Sequence, residues 1–130
     1  MRIINGDSLE VLKALPDESI DCVVTSPPYW ALRDYGCEGQ PGLEPTFQEY
    51  IEKLCNIFDE VKRVLKKEGT CWVNIGDTYS ATRWSNSAGN SFMAKRNENN
   101  TYGAVFEKQT DLPDKCLCQI PSRFAIERLS

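Results

Sequence analysis

Residues 20–25, Ile-Asp-Cys-Val-Val-Thr, make a near-continuous β-favouring run that Ser26-Pro27-Pro28 stops abruptly. Such a run, lacking clean alternation, predicts a strand covered on both faces, as in a parallel sheet between helices. Each proline fixes φ near about −65°, removes an amide donor and pushes its predecessor out of the helical region. The strand must therefore end in a stiff corner. In open α/β sheets, ligands bind at the carboxyl ends of strands, so this corner is where chemistry is sought first.

The flanking sequence supports an α/β chain. Arg2 to Asn5 is short and apolar and reads as a strand. Asp7-Ser8-Leu9-Glu10 starts a helix with an acidic N-cap, Leu9, Leu12 and Leu15 recur at helical spacing, and Pro16 ends it. Residues 31–44 are turn-rich, with Gly36, Gly39 and Gly42. Thr46-Phe47-Gln48-Glu49 is a capping box. The apolar stripe Phe47, Tyr50, Ile51, Leu54, Phe58, Val61 and Leu65 follows, with Gly69 as the helix stop. Cys71 to Ile75 is the next strand. Ser80 to Thr110 is a long polar loop carrying Arg83, Trp84, Phe92, Lys95 and Arg96. A last helix begins at about Ser122, with Phe124, Ile126 and Leu129 on it.

This alternation predicts a mostly parallel sheet with helices on both faces. Three strands make an incomplete sheet, and no Gly or Pro cap follows Leu129. Residues 1–130 are accordingly expected to be one half of a longer domain.

Composition narrows the chemistry. The chain has no histidine, which excludes a His-dependent hydrolase triad and a His-ligated metal. A net charge of −4 argues against binding nucleic acid through bulk charge, so any such contact is local. No apolar run approaches the roughly 18 residues of a membrane span, and the first residues turn polar too soon for a signal peptide. The expected location is the cytoplasm, with six reduced cysteines, of which Cys22, Cys55 and Cys71 hold apolar-patterned positions. Cys116-Leu117-Cys118 lacks the spacing of a zinc knuckle and no second pair lies nearby, so no metal is assigned.

The segment Thr25-Ser26-Pro27-Pro28-Tyr29-Trp30 carries the functional reading. Its prolines donate nothing, Ser26 adds a hydroxyl, and two aromatic rings follow. A planar molecule bearing an NH2 group suits this combination of acceptors and flat faces. As a proline-rich ligand, Pro-Pro-Tyr would need a disordered setting, which the preceding strand contradicts. Trp30 serves either as a stacking face or as core.

These six residues resemble the catalytic motif of the DNA amino-methyltransferases, in the Ser-Pro-Pro-Tyr form typical of cytosine-N4 enzymes; adenine-N6 enzymes more often have Asp at the position of Ser26. Asn5-Gly6-Asp7 and Gly69 to Asp77 are similar to the surroundings of that motif in the permuted class, where the catalytic half precedes the cofactor half. The resemblance implies a partial Rossmann-like methyltransferase sheet, S-adenosylmethionine as cofactor, and double-stranded DNA as partner. It also implies restriction-modification as the setting, with cytosine N4 favoured over adenine N6 as the target. It assigns Ser26, Pro27, Pro28 and Tyr29 to catalysis, Tyr29 and Trp30 to stacking on an extruded base, and Asp7, itself equally a helix cap, to the cofactor. A non-catalytic DNA-binding or scaffold fragment is the rival reading, and a homodimer is compatible with either. The family's glycine-rich cofactor loop has no counterpart, since no Gly-x-Gly occurs. Residues 1–130 alone, lacking the C-terminal cofactor-binding half, are expected to bind the cofactor weakly.

Overall fold

A computed structural model describes residues 3–80, 111–113 and 115–129. The expected polar loop, with Arg83, Trp84, Phe92, Lys95 and Arg96, lies outside these residues apart from its first residue, Ser80. Helix α1 spans Ser8–Lys13, where Asp7 Oδ1 accepts from the Leu9 and Glu10 amides at 3.0 and 3.2 Å. Its end is held from α2 (Phe47–Val64), whose Arg63 donates to the Leu12 and Leu15 carbonyls at 2.8 and 3.0 Å. The Leu12 carbonyl accepts from the Leu15 amide as well, at 2.9 Å, so both contacts fasten the turn that follows α1.

Strands β1 (Ile20–Thr25) and β2 (Leu65–Val73) pair in parallel, Val24 opposite Trp72 and Thr25 opposite Val73. Helix α2 is capped by Thr46 Oγ1, which accepts from the Glu49 amide at 3.2 Å. Its expected stripe is buried from Phe47 to Val61. Leu65, however, opens β2 directly after Val64, and Gly69 is not the helix stop. Ile20 pairs with Leu65 and Cys22 with Thr70, so two steps along β1 face five along β2. A Cβ on Gly69 would come 2.9 Å from the Lys66 carbonyl and 3.2 Å from that of Asp21. The glycine closes a bulge in the strand.

Residues 78–80 lie alongside residues 116–118. Tyr79 and Leu117 form an antiparallel bridge, the Ser80 amide donates to the Cys116 carbonyl at 2.8 Å, and the Cys118 amide donates to the Thr78 carbonyl at 2.9 Å. The Ser80 hydroxyl, fully buried, donates to the Pro113 carbonyl. Helix α3 (Ile120–Leu129) starts two residues before the expected position, because Asp77 Oδ1 accepts from the Ile120 amide at 3.1 Å. A cap supplied from 43 residues away leaves no local signal. Phe124 of α3 meets Phe58 of α2 edge-on at 4.8 Å.

The architecture is α/β, with two corrections. Residues 3–5 are not a strand: Ile3 and Ile4 are 81% and 46% exposed, with no neighbouring strand to pair them. Among the described residues, helices cover one sheet face only. Val23 and Val73 pack on the helical core, whereas Val24 and Trp72, on the other face, are 79% and 66% exposed. Cys22 and Cys71 are exposed as well, while Cys55 is buried as expected. No described helix is long and apolar enough to cross a membrane, and no described cluster of Cys, Asp and Glu is arranged to hold a metal.

Candidate active site

The corner leaves β1 at Thr25 and runs into a loop that packs back on α2. Following its carbonyls defines the site, because a buried carbonyl without a partner is costly. That of Thr25 accepts from the Asn74 amide at 2.9 Å, that of Pro28 from the Tyr50 hydroxyl at 2.8 Å, and that of Tyr29 from the Leu32 amide at 3.3 Å. Within the described residues no hydrogen bond engages the carbonyls of Ser26 and Pro27 or the Ser26 hydroxyl. Ser26 is exposed at the strand tip. Three acceptors therefore stay available where the sequence placed them, and Pro28 is removed from that set. Its carbonyl belongs to Tyr50.

Tyr50 is fully buried in α2. Burial first, then the nearby Glu44 carboxylate, pushes its phenol well above the ordinary value of 10.0, so it remains a protonated donor. Tyr50→Phe keeps the ring and strands the Pro28 carbonyl. Urea unfolding is expected to show a loss of about 1–3 kcal/mol, and an unchanged midpoint would contradict this account of the corner.

Tyr29 is half-buried and held twice. Its hydroxyl donates to Asn74 Oδ1 at 3.4 Å, and its ring passes so close to Gly76 that a Cβ there would lie 2.8 Å from Cε2. Trp30 is corrected. It is 3% exposed, donates through Nε1 to the Glu44 carbonyl at 2.7 Å and meets Phe47 edge-on at 5.9 Å. A ring anchored in the core at both its polar and apolar edges cannot stack on a ligand. Core is the outcome of that alternative.

Ser26, Pro27, Pro28 and Tyr29 line a cleft of about 500 Å3 together with Leu32, Arg33 and Tyr35. The loop forming its rim is built in detail. Gln40, 9% exposed, donates through Nε2 to the Arg33 carbonyl and accepts at Oε1 from the Tyr35 amide, both at 2.7 Å. Glu44 accepts from the Gly42 amide at 2.7 Å and pairs with Lys53 at 3.0 Å. Lys53 also donates to the Gly39 carbonyl at 2.7 Å. Gln40, Tyr50 and Asn74 were not visible as site residues in the sequence, since each acts through a contact across the fold. Asp7 is not brought to the cleft; it is exposed and caps α1.

Chemically, the cleft is lined by residues with unengaged oxygen lone pairs and by aromatic side chains, a combination able to accept from N–H donors. The family model for DNA methylases of the N6 and N4 types matches residues 20–114. The type II methyltransferase M.XycI of Xanthomonas campestris pv. cyanopsidis is 46% identical over 123 residues, covering 95% of this chain and 40% of that protein. M.Cfr9I of Citrobacter freundii is 43% identical with the same coverage, and M.SfiI of Streptomyces fimbriatus is 60% identical over 74 residues, 57% of this chain and 18% of its own. The chain thus spans about 40% of the length of the first two relatives. No solved structure matches it. With the Ser-Pro-Pro-Tyr corner inside the matched region, the chain belongs to the DNA methylase family of N6 and N4 amino-methyltransferases.

Proposed function

We propose that the protein to which these residues belong transfers a methyl group to the exocyclic amine of a base extruded from double-stranded DNA, with N4 of cytosine as the target. The observation that carries this is the pair of unengaged acceptors at the strand tip, Ser26 Oγ and the Pro27 carbonyl, beside Tyr29 in one cleft. An amino group conjugated to a pyrimidine ring is a poor nucleophile, because its lone pair is delocalised. Acceptors holding both N–H bonds out of the ring plane make that nitrogen more tetrahedral and free the lone pair. The gain is larger in the transition state than in the ground state, which is what raises a rate. Serine is a weak base, so the amine proton leaves to water during or after transfer. Tyr29 is the stacking face for the extruded base. Serine rather than aspartate at position 26 supports cytosine over adenine.

The methyl donor implied by the family is S-adenosylmethionine, which supplies an electrophilic methyl on a sulfonium. The described residues fit it only in part. The cleft presents mainly acceptors and aromatic faces, whereas a methionine carboxylate requires donors. Asp7, the residue assigned to the cofactor, uses Oδ1 on α1 and does not line the cleft. Cofactor binding therefore belongs to a fuller, Rossmann-like sheet in which β1 and β2 take part. The type II relatives support a restriction-modification setting.

DNA modified by the full-length protein, digested to nucleosides and analysed by mass spectrometry, is expected to contain N4-methylcytosine. N6-methyladenine would move the target to the other base, and unmodified DNA would overturn the reading.

A further inference from the structure

With Trp30 committed to the core, the cleft needs another second wall, and we infer that Tyr35 supplies it, as a binding residue for the extruded base. This rests on the amine-methylation reading above. Tyr35 lines the same cleft as Ser26, Pro27 and Tyr29, and it is 58% exposed although large aromatics are usually well covered. Exposure alone would say little. The backbone that carries Tyr35, however, is fixed from below by the buried Gln40, whose amide group ties the Arg33 carbonyl and the Tyr35 amide at 2.7 Å each. Next to them the Gly36 amide donates to Asp34 Oδ1 at 2.7 Å, tightening the turn behind Tyr35. A buried amide satisfied at both ends rigidifies the backbone from which the exposed ring projects.

The chemistry it fits is a planar, uncharged ring. A base leaving the duplex loses stacking on both faces, and an aromatic side chain replaces it without regard to base identity. Tyr35 therefore acts on extrusion and on DNA affinity, while Ser26 and Pro27 act on the amine.

The test uses the full-length protein and a duplex carrying the site mapped from its own methylation of DNA. Tyr35→Ala is expected to lower kcat/KM for DNA about tenfold, and Tyr35→Phe to stay within about twofold of wild type. Affinity for S-adenosylmethionine should not change in either variant. On a duplex whose target base is mispaired, wild type and Tyr35→Ala should both gain in kcat/KM while the deficit stays about tenfold, because the contact is made in the extruded state that both duplexes share. Undiminished Tyr35→Ala activity on the paired duplex, or an equal loss in Tyr35→Phe, overturns the assignment to Tyr35. A wild-type protein that methylates no DNA overturns the underlying reading instead, and the two failures are told apart by that control.

Discussion

Ser26→Ala in the full-length protein is expected to reduce methylation about a hundredfold and to leave DNA binding within about twofold of wild type. The hydroxyl is exposed and has no hydrogen-bond partner within the described residues, so removing it strands no buried group and should leave the unfolding midpoint unchanged. What is lost is one of two acceptors that shape the amine at the moment of attack. Single-turnover rates with saturating DNA isolate that step. A fall in kcat with KM unchanged would assign Ser26 to the transition state, a rise in KM alone would make it a ground-state contact, and a rate within threefold of wild type would remove the corner from the chemistry.

The second large effect is structural. Gly42 has φ +97°, and a Cβ there would lie 2.9 Å from the Tyr29 carbonyl and 3.4 Å from that of Pro28. Both obstacles are backbone atoms of the corner, which cannot swing aside as a side-chain tip would. The Gly42 carbonyl also accepts from the Ala31 amide at 2.8 Å, so the loop cannot retreat without breaking that bond. Gly42→Ala is expected to cost about 3 kcal/mol, positive-φ strain and overpacking together, read by urea unfolding. Gly39 provides the control. Its φ is +76°, but nothing lies within 4 Å of its would-be Cβ, so Gly39→Ala carries the strain alone, about 1 kcal/mol. Equal losses at the two positions would show that the close approach to the corner is not felt.

Features that depend on neighbours in the chain were legible in the sequence. The caps at Asp7 and Thr46, the stripe from Phe47 to Val61 and the strand ending at Ser26-Pro27 all follow from local pattern. What escaped depends on distant partners. The bulge at Gly69 exists because Asp21 passes alongside, and α3 begins early because Asp77 caps it. Trp30 and Tyr35 make the same point at the site. Both are aromatic residues next to a promising motif, and only the position of Phe47 and the Glu44 carbonyl decides that Trp30 faces the core. The apolar run of β1 reads as a strand covered twice, yet Val24 is largely exposed here. Hydrophobicity reports the demand for cover and not its source.

The closure at Ser80, where amide and hydroxyl meet the Cys116 and Pro113 carbonyls, bears on chain length. With Thr78–Ser80 fastened to residues 113–118, a change of chain length between them costs little more than the slowly growing entropy of loop closure. A graft that keeps residues 111–118 together with Ser80 retains Leu112 against the core and the Pro113 and Cys116 carbonyls that make the closure.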